Sequence, residues 1–176
     1  MKKKYEVSGV WDNEPDEESG EYKGMKTFIK RGPVGHLCGY VGIPEGHPWF
    51  GKDYNDQVNV PKAIMERPID VDKVGAINLL CAAGKSDDMK EGFLDIVFAI
   101  DVHGGLTYAS ECVPMEKPDG FWWFGFDCAH AGDLVPRSTM ARSNCIYRDI
   151  EFVRQEIKSL ADQLEHVTTY PRAIGE

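Results

Sequence analysis

The sequence lacks the features that would assign it to several common classes. No apolar run approaches the about 20 residues that a bilayer-spanning helix needs. The basic start of the chain, residues 1–4, has no apolar segment behind it, so we expect no secretory signal. The patterns G-x-S-x-G, G-x-G-x-x-G and the P-loop are absent, which argues against a nucleophile elbow and a nucleotide-binding fold. We therefore expect a cytoplasmic protein with no membrane partner.

Cysteine is present, but its spacing is not typical of disulfide bonds or of a zinc site. The five cysteines are an odd number, lie far apart and include no C-x-x-C pair. This spacing argues against a disulfide framework and against a cysteine-only zinc site. We expect reduced, mostly buried thiols in a reducing compartment, Cys128 among them.

The chain also has fewer basic than acidic residues. The chain has 20 Lys+Arg against 29 Asp+Glu, for a net charge of −9. This charge argues against a protein that binds nucleic acid through broad neutralisation of phosphates, so we expect no broad nucleic-acid-binding surface. Six of the acids fall in residues 11–22, which we interpret as a solvated acidic loop. The charge is thus partly that of one segment, and a pocket for a small anion elsewhere stays compatible with it.

The 176 residues, 42% of them hydrophobic, predict one domain over residues 1–176. Alternation predicts strands, with Gly104-Gly105 as a two-residue hairpin that pairs 93–103 with 106–112. Residues 55–92 read as a variable, insertion-like segment with a helical turn at 61–66 and a helix starting at Asp70 or Asp72 and ending at 83. The other predicted strands cover 5–10, 25–31, 34–43 and 121–127.

The carboxyl-terminal part carries the clearest helical pattern. Ile150, Val153, Ile157 and Leu160 recur at spacings of three and four, which predicts an amphipathic helix over 145–167. Its amino-terminal cap would be Ser143 or Asn144, and its charged residues, Arg148 and Glu156 among them, would form a solvated face. The predicted fold is α+β, with an antiparallel β-sheet packed against a long C-terminal amphipathic helix.

The strongest candidate site follows the aromatic strand as Asp127-x-x-His130-x-x-Asp133. Carboxylates and imidazole suit a divalent cation, and they also suit general acid/base work. We take Asp127, His130 and Asp133 as candidate metal ligands, and His103, Asp127 and His130 as candidate catalytic residues. The alternative is that Asp127 and His130 only cap a tight loop.

Two further segments carry candidate ligand-binding residues. Asp101 and His103 precede a diglycine and would share one strand face with Tyr108, although a hairpin whose exposed face is merely polar explains this pair better when it is taken alone. The glycine- and proline-punctuated loop 46–54 carries aromatic, cationic and acidic groups, which suit a planar polar ligand, unless Trp49 and Phe50 only anchor it to the core. The candidate ligand-binding residues are His47, Trp49, Lys52, Asp53, Tyr54, Asp101, Gly104, Gly105 and Tyr108.

Three blocks of the sequence, residues 39–54, 102–108 and 123–133, together resemble a family of small proteins found widely in tailed-bacteriophage and prophage genomes. The resemblance implies a phage accessory protein that acts in the bacterial host cytoplasm. Several families of small phage proteins act on nucleotide-derived host defence signals, and this suggests such a ligand by analogy only. Residues 55–92 and the acidic segment have no counterpart in the resemblance.

These features support three hypotheses for function. The first is capture of a small polar, nucleotide-like ligand in a pocket lined by aromatic, histidine and aspartate side chains. The second is a metal-assisted or acid/base hydrolase that uses His103, Asp127, His130 and Asp133, with a divalent metal as its cofactor. The third is a protein–protein inhibitor of a host factor, acting through the acidic segment 12–21. The C-terminal helix leaves a homo-oligomer open.

Overall fold

The computed structural model describes residues 8–68, 92–137 and 144–169. Within them, five strands form an antiparallel sheet in the order β1-β2-β3-β7-β6, and β4 and β5 form a separate antiparallel pair. The strands are β1 (Glu17–Tyr22), β2 (Met25–Arg31), β3 (Leu37–Pro44), β4 (Gln57–Asn59), β5 (Phe93–Asp95), β6 (Tyr108–Ser110) and β7 (Phe121–Asp127), and the α-helices are α1 (Lys62–Met65), α2 (Ile96–Ala99) and α3 (Ile150–Val167).

The main core lies between one face of the sheet and α3. Strand β3 is buried from Leu37 to Ile43, and α3 buries its apolar residues from Val153 to Val167. A Cβ on Gly39 would stand 2.5 Å from Phe126 and 3.0 Å from Ile157, so glycine is what lets the helix approach the sheet here. The predicted α+β fold, a sheet covered by a C-terminal helix, is confirmed.

Several predicted elements match the structure. The strands predicted over 25–31 and 121–127 are β2 and β7, and the helical turn at 61–66 contains α1. The strand predicted over 34–43 begins at Leu37 instead, because a turn at residues 33–35 precedes it. The helix predicted from 70 or 72 to 83 lies outside the described residues, as do the first residues of the strand predicted over 5–10, where Val10 begins a 3-10 helix.

The long helix starts five residues later than predicted. It begins at Ile150, and its cap is Asp149, whose carboxylate accepts a hydrogen bond from the Phe152 N–H at 2.9 Å. The chain before it is extended and forms a parallel bridge between Ile146 and Asp133. That bridge takes Ile146 out of the helical stripe, and it prevents Asn144 from acting as the cap; Ser143 lies outside the described residues.

The prediction of an acidic loop over 11–22 is wrong. A 3-10 helix (Val10–Asn13) is followed by β1, which pairs with β2 through a two-residue turn. Both turn residues, Lys23 and Gly24, have positive φ angles (53° and 75°), as a type I′ hairpin turn requires. Two acids of β1 pair with cations on neighbouring elements, Glu18 with Arg154 at 2.6 Å and Glu17 with Lys30 at 3.3 Å, and this pairing stabilises a strand where composition indicated a loop.

The predicted hairpin around Gly104-Gly105 is also wrong. Strand β5 ends at Asp95, the chain forms α2, and β6 pairs with β7 rather than with residues 93–103. The reason is burial: Ile96, Val97 and Ile100 all lie in the core, which a half-exposed strand cannot achieve. Asp101 is consequently not opposite Tyr108.

The second face of the sheet carries a smaller apolar cluster made of Cys38, Tyr40, Val113 and Trp123. Tyr40 lies over Gly125, where a Cβ would come within 2.4 Å of its ring, and it packs edge-on against Tyr108 at 5.4 Å. No helix among the described residues is long and apolar enough to cross a membrane.

Candidate functional site

Three of the predicted site residues converge beyond the end of β7. We call His103, His130 and Asp133, with the flanking Asp127, the histidine–aspartate cluster. Strand β7 delivers Asp127 at its last position, and the following turn carries His130 and Asp133. His103 reaches them from the turn after α2, where its N–H donates to the Glu156 carboxylate of α3 at 2.8 Å.

Asp133 is the centre of the cluster. Its side chain is 1% exposed and accepts three hydrogen bonds: at Oδ2 from His103 Nε2–H (2.8 Å) and from the His130 N–H (3.0 Å), and at Oδ1 from Arg148 Nε–H (2.9 Å). Burial alone would raise the pKa of this carboxyl, but the hydrogen bonds from His103 and Arg148 outweigh burial and hold the pKa below its usual value. Asp133 is therefore a fixed carboxylate that orients both histidines.

His130 is held in place but has one free nitrogen. A Cβ on Gly104 would lie 2.0 Å from its ring, so only glycine, here at φ +70°, lets the ring sit over this turn. Its Nδ1 is buried without a hydrogen-bond partner, and lies 3.8 Å from Asp127 Oδ1 and 3.9 Å from Asp133 Oδ2. An unpartnered buried nitrogen costs free energy, so it is a feature that needs a reason.

The cluster has the composition and spacing of a cation site. His103, His130 and Asp133 each offer one ligand atom, and these atoms lie within 4.8 Å of one another. Two imidazoles and one carboxylate suit a borderline divalent ion such as Zn²⁺. Asp127 is tied less tightly, since its side chain is 29% exposed and accepts from Thr107 Oγ1 and the Ala129 N–H.

Sequence reasoning missed two residues at this site. Arg148 was expected on a solvated helix face, yet it precedes α3 and pairs with Asp133. His36 is half-buried, and its buried Nδ1 has no hydrogen-bond partner. Burial lowers its pKa, and the nearby carboxylates of Asp127 and Asp133 raise it less. Only tertiary structure brings Arg148 here, whereas the position of His36 just before β3, which pairs with β7, was a usable signal.

The aromatic loop lies at the other end of α3. His47 contacts the Leu164 carbonyl, whereas His103 packs edge-on against Phe152, and the 12 residues between these positions span about 18 Å of helix. His47 Nε2–H donates to that carbonyl at 2.8 Å, and its Nδ1 accepts from the Trp49 N–H at 3.1 Å. Burial lowers the pKa of His47, which keeps the imidazole neutral, and Trp49 is 2% exposed in the main core.

The other predicted ligand-binding residues are dispersed. The Lys52 carbonyl accepts from Trp122 Nε1–H, Asp53 forms a local turn with Asn55, and Tyr54 packs on the core. Asp101 pairs with Arg67 at 2.7 Å. The structure does not gather these residues at the histidine–aspartate cluster; Gly104 alone of the set touches it, Gly105 closes the turn to the Val102 carbonyl, and Tyr108 Oη–H donates to the Cys112 carbonyl.

Cys128 lies beside the cluster in sequence but is not a nucleophile candidate. It is 2% exposed, and burial, with a smaller effect of the nearby Asp133, raises the pKa of its thiol. The prediction of a packed thiol is confirmed.

Comparisons of the chain with protein-family models, curated proteins and solved structures gave no match. The resemblance to small phage proteins therefore stays a prediction, and the function must be argued from the histidine–aspartate cluster itself.

Proposed function

We propose that this protein binds a divalent cation of the zinc class with His103, His130 and Asp133, and uses it to hydrolyse a small polar ligand. The observation that carries the proposal is the buried, unpartnered Nδ1 of His130, 3.9 Å from Asp133 Oδ2. A cation would give this nitrogen the partner that the protein does not supply.

The spacing of the donors fits such an ion. Ligand atoms about 2.0–2.1 Å from a tetrahedral zinc ion lie about 3.3 Å from each other. The distance from Asp133 Oδ2 to His103 Nε2 is 2.8 Å and that to His130 Nδ1 is 3.9 Å, so the two distances bracket this value. To bind the ion, His103 would carry its proton on Nδ1, and Nε2 would exchange its hydrogen bond with Asp133 for the ion. Arg148 holds the other oxygen, Oδ1, and fixes the carboxylate from outside, as partners of metal ligands commonly do.

The surrounding groups suit hydrolysis. When bound, such an ion polarises a phosphoryl or carbonyl group and acidifies a bound water. Asp127 is the partly exposed carboxylate of the cluster, 3.8 Å from His130 Nδ1, and would accept a proton from an attacking water. The resemblance to phage proteins favours a nucleotide-derived ligand, and we propose it with the same site.

A metal-free acid/base mechanism is the second candidate. The 2.8 Å hydrogen bond from His103 Nε2–H to Asp133 would leave Nδ1 of that imidazole to act as a base, oriented by a fixed carboxylate. Capture of a ligand by the aromatic loop has less support, because His47 and Trp49 already use their polar groups or their surface within the protein.

The test is cation binding by the full chain after chelation. We expect titration calorimetry with Zn²⁺ and Mn²⁺ to show one ion per chain, and we expect His130→Ala and Asp133→Asn to weaken binding at least about 100-fold. His166→Ala, which changes an exposed histidine at the far end of α3, is the matched control and should bind as the parent does.

Hydrolysis of bis(p-nitrophenyl) phosphate and p-nitrophenyl acetate is assayed on the same samples. Turnover that needs the added ion supports the proposal, whereas turnover that survives chelation but is lost in His103→Gln assigns the acid/base mechanism. A parent protein that binds no ion, or equal losses in His166→Ala and His130→Ala, contradicts the metal site.

A further inference from the structure

We infer that the outer edge of β1 is a docking site for an extended, basic segment of a partner protein, which adds a strand to the sheet. This inference is independent of the proposed metal site. It rests on the free edge of β1, on the clefts beside it and on the charge that the strand presents.

The backbone of β1 offers a row of hydrogen-bonding groups. Within the described residues β1 is the last strand of the five-stranded sheet and pairs only with β2. The Arg31 N–H donates to the Asp16 carbonyl, and antiparallel pairs alternate, so Glu18, Gly20 and Tyr22 face β2. The N–H and C=O groups of Glu17, Ser19 and Glu21 consequently point away from the sheet, as a template for an added strand.

Clefts flank both sides of this edge. On the second face of the sheet a cavity of about 790 Å³ has an apolar floor of Phe28, Val113 and Trp123. On the α3 side a smaller cavity of about 170 Å³ lies between β1 and the helix, next to Tyr22 and Arg154. Side chains of an added strand alternate between its two faces and would enter one cleft or the other.

The charge of the larger cleft defines the occupant. Its lining has four acids and two lysines, and two of the acids, Glu17 and Glu21, stand on β1 itself with the outward-facing backbone. Glu17 also lies 3.3 Å from Lys30 on β2 and keeps 55% of its side chain exposed. Basic side chains on that face of an added strand would lie beside these carboxylates, which is a favourable cross-strand pairing. The smaller cleft on the α3 side is lined by Ile29 and Ile157, and its Glu18 is already paired with Arg154 at 2.6 Å, so apolar side chains fit there. The partner segment therefore alternates basic and apolar residues.

A second copy of this chain is a poor occupant of the same edge. Two β1 strands would bring Glu17, Glu18 and Glu21 of each copy together, and like charges on adjacent strands repel. Acidic side chains on an exposed edge are a known way to prevent such pairing, while they leave it open to a basic strand.

The test uses a fluorescent octapeptide of alternating lysine and valine and the full-length protein. We expect fluorescence anisotropy to show binding that weakens with salt and is absent for the matching glutamate–valine peptide. Glu17→Gln with Glu21→Gln should weaken binding about five- to tenfold. The control pair Glu45→Gln and Glu111→Gln, exposed acids with the same change in net charge, should change it less than twofold.

Backbone methylation of the peptide tests for an added strand without altering the protein. One peptide is N-methylated at its lysines and another at its valines, so that only one of them loses the N–H groups that face β1. A loss of about tenfold or more in one peptide alone supports strand addition. No binding by the parent peptide, equal effects of the two methylations, or a chain dimer that the peptide disrupts would overturn the inference.

Discussion

Two histidines at opposite ends of α3, the buried His47 and the half-buried His130, have nearly opposite environments. Both nitrogens of His47 have partners, the Leu164 carbonyl and the Trp49 N–H. His130 is held as firmly by its surroundings, yet its Nδ1 has none within the described residues. A histidine with both nitrogens hydrogen-bonded anchors a loop to a helix. A buried ring nitrogen without a partner costs free energy, and the packing around it does not explain why it is kept. The difference gives one end of α3 a structural role, and it is the reason that we propose a chemical role for the other.

The largest effect should come from removing the carboxylate at the centre of the cluster. Asp133→Ala leaves His103, Arg148 and the His130 N–H without their shared acceptor, and we expect a loss of about 3–5 kcal/mol in the free energy of unfolding. Urea unfolding measures this loss. The matched variant Asp127→Ala, at a side chain 29% exposed, should cost about 1 kcal/mol.

If Asp133→Ala costs no more than Asp127→Ala, Asp133 does not organise this end of the helix, and the contrast with His47 loses its basis. Cation titration of both variants separates the two roles, because a purely structural carboxylate would change stability and leave binding by the refolded protein intact.

The next largest effect on stability should come from two glycines, Gly104 beside His130 and Gly46 next to His47. Gly104 and Gly46 both have positive φ angles (70° and 93°), but a Cβ meets the His130 ring at Gly104 and nothing within 4 Å at Gly46. We expect Gly46→Ala to cost about 1 kcal/mol from backbone strain alone. Gly104→Ala should cost at least about 2 kcal/mol and weaken cation binding, because the His130 ring must move.

Calorimetric melting and cation titration of these two variants distinguish strain from displacement. Equal losses of stability with unchanged cation affinity would show that the His130 ring is not held by its contact with Gly104.

The sequence predicted the fold better than it predicted the connections within it. Helix α3 follows from a long periodic pattern, and β7 follows from a seven-residue run that is largely apolar on both faces; tertiary context overrode neither. The segment around Ile96 alternates like a strand, yet its consecutive residues are buried in a short helix. The diglycine that indicated a hairpin instead connects the chain after that helix to β6 of the larger sheet.

The candidate site was predictable to the same degree. Asp127, His130 and Asp133 lie within seven residues, so their proximity follows from the chain itself. The approach of His103 and Arg148 depends on how the turn at Gly104 and the start of α3 pack, and no spacing in the sequence encodes it. For the loop 46–54 the composition was misleading. Its aromatic residues suit a binding surface, but Trp49 is buried as a core residue.

The smallest expected effect is a pH dependence of the free energy of unfolding, which the environment of His47 predicts. Burial lowers the pKa of His47 below the about 6.5 of a free imidazole, so the folded state resists protonation more than the unfolded state does. Its contribution to stability is complete above pH 6.5 and is lost as the pH falls through that value towards the folded pKa. Burial also lowers the pKa of His36, so the pH dependence of the parent protein alone does not isolate His47.

We expect His47→Gln, which keeps a donor for the Leu164 carbonyl, to have a smaller loss of stability between pH 7.5 and 5.5 than the parent. The difference should be less than about 1.4 kcal/mol per pH unit, the limit for one proton. Urea unfolding at several pH values measures both slopes. A variant as pH-dependent as the parent would mean that His47 takes up a proton in the folded state, and the contrast between the two ends of α3 would then need another cause.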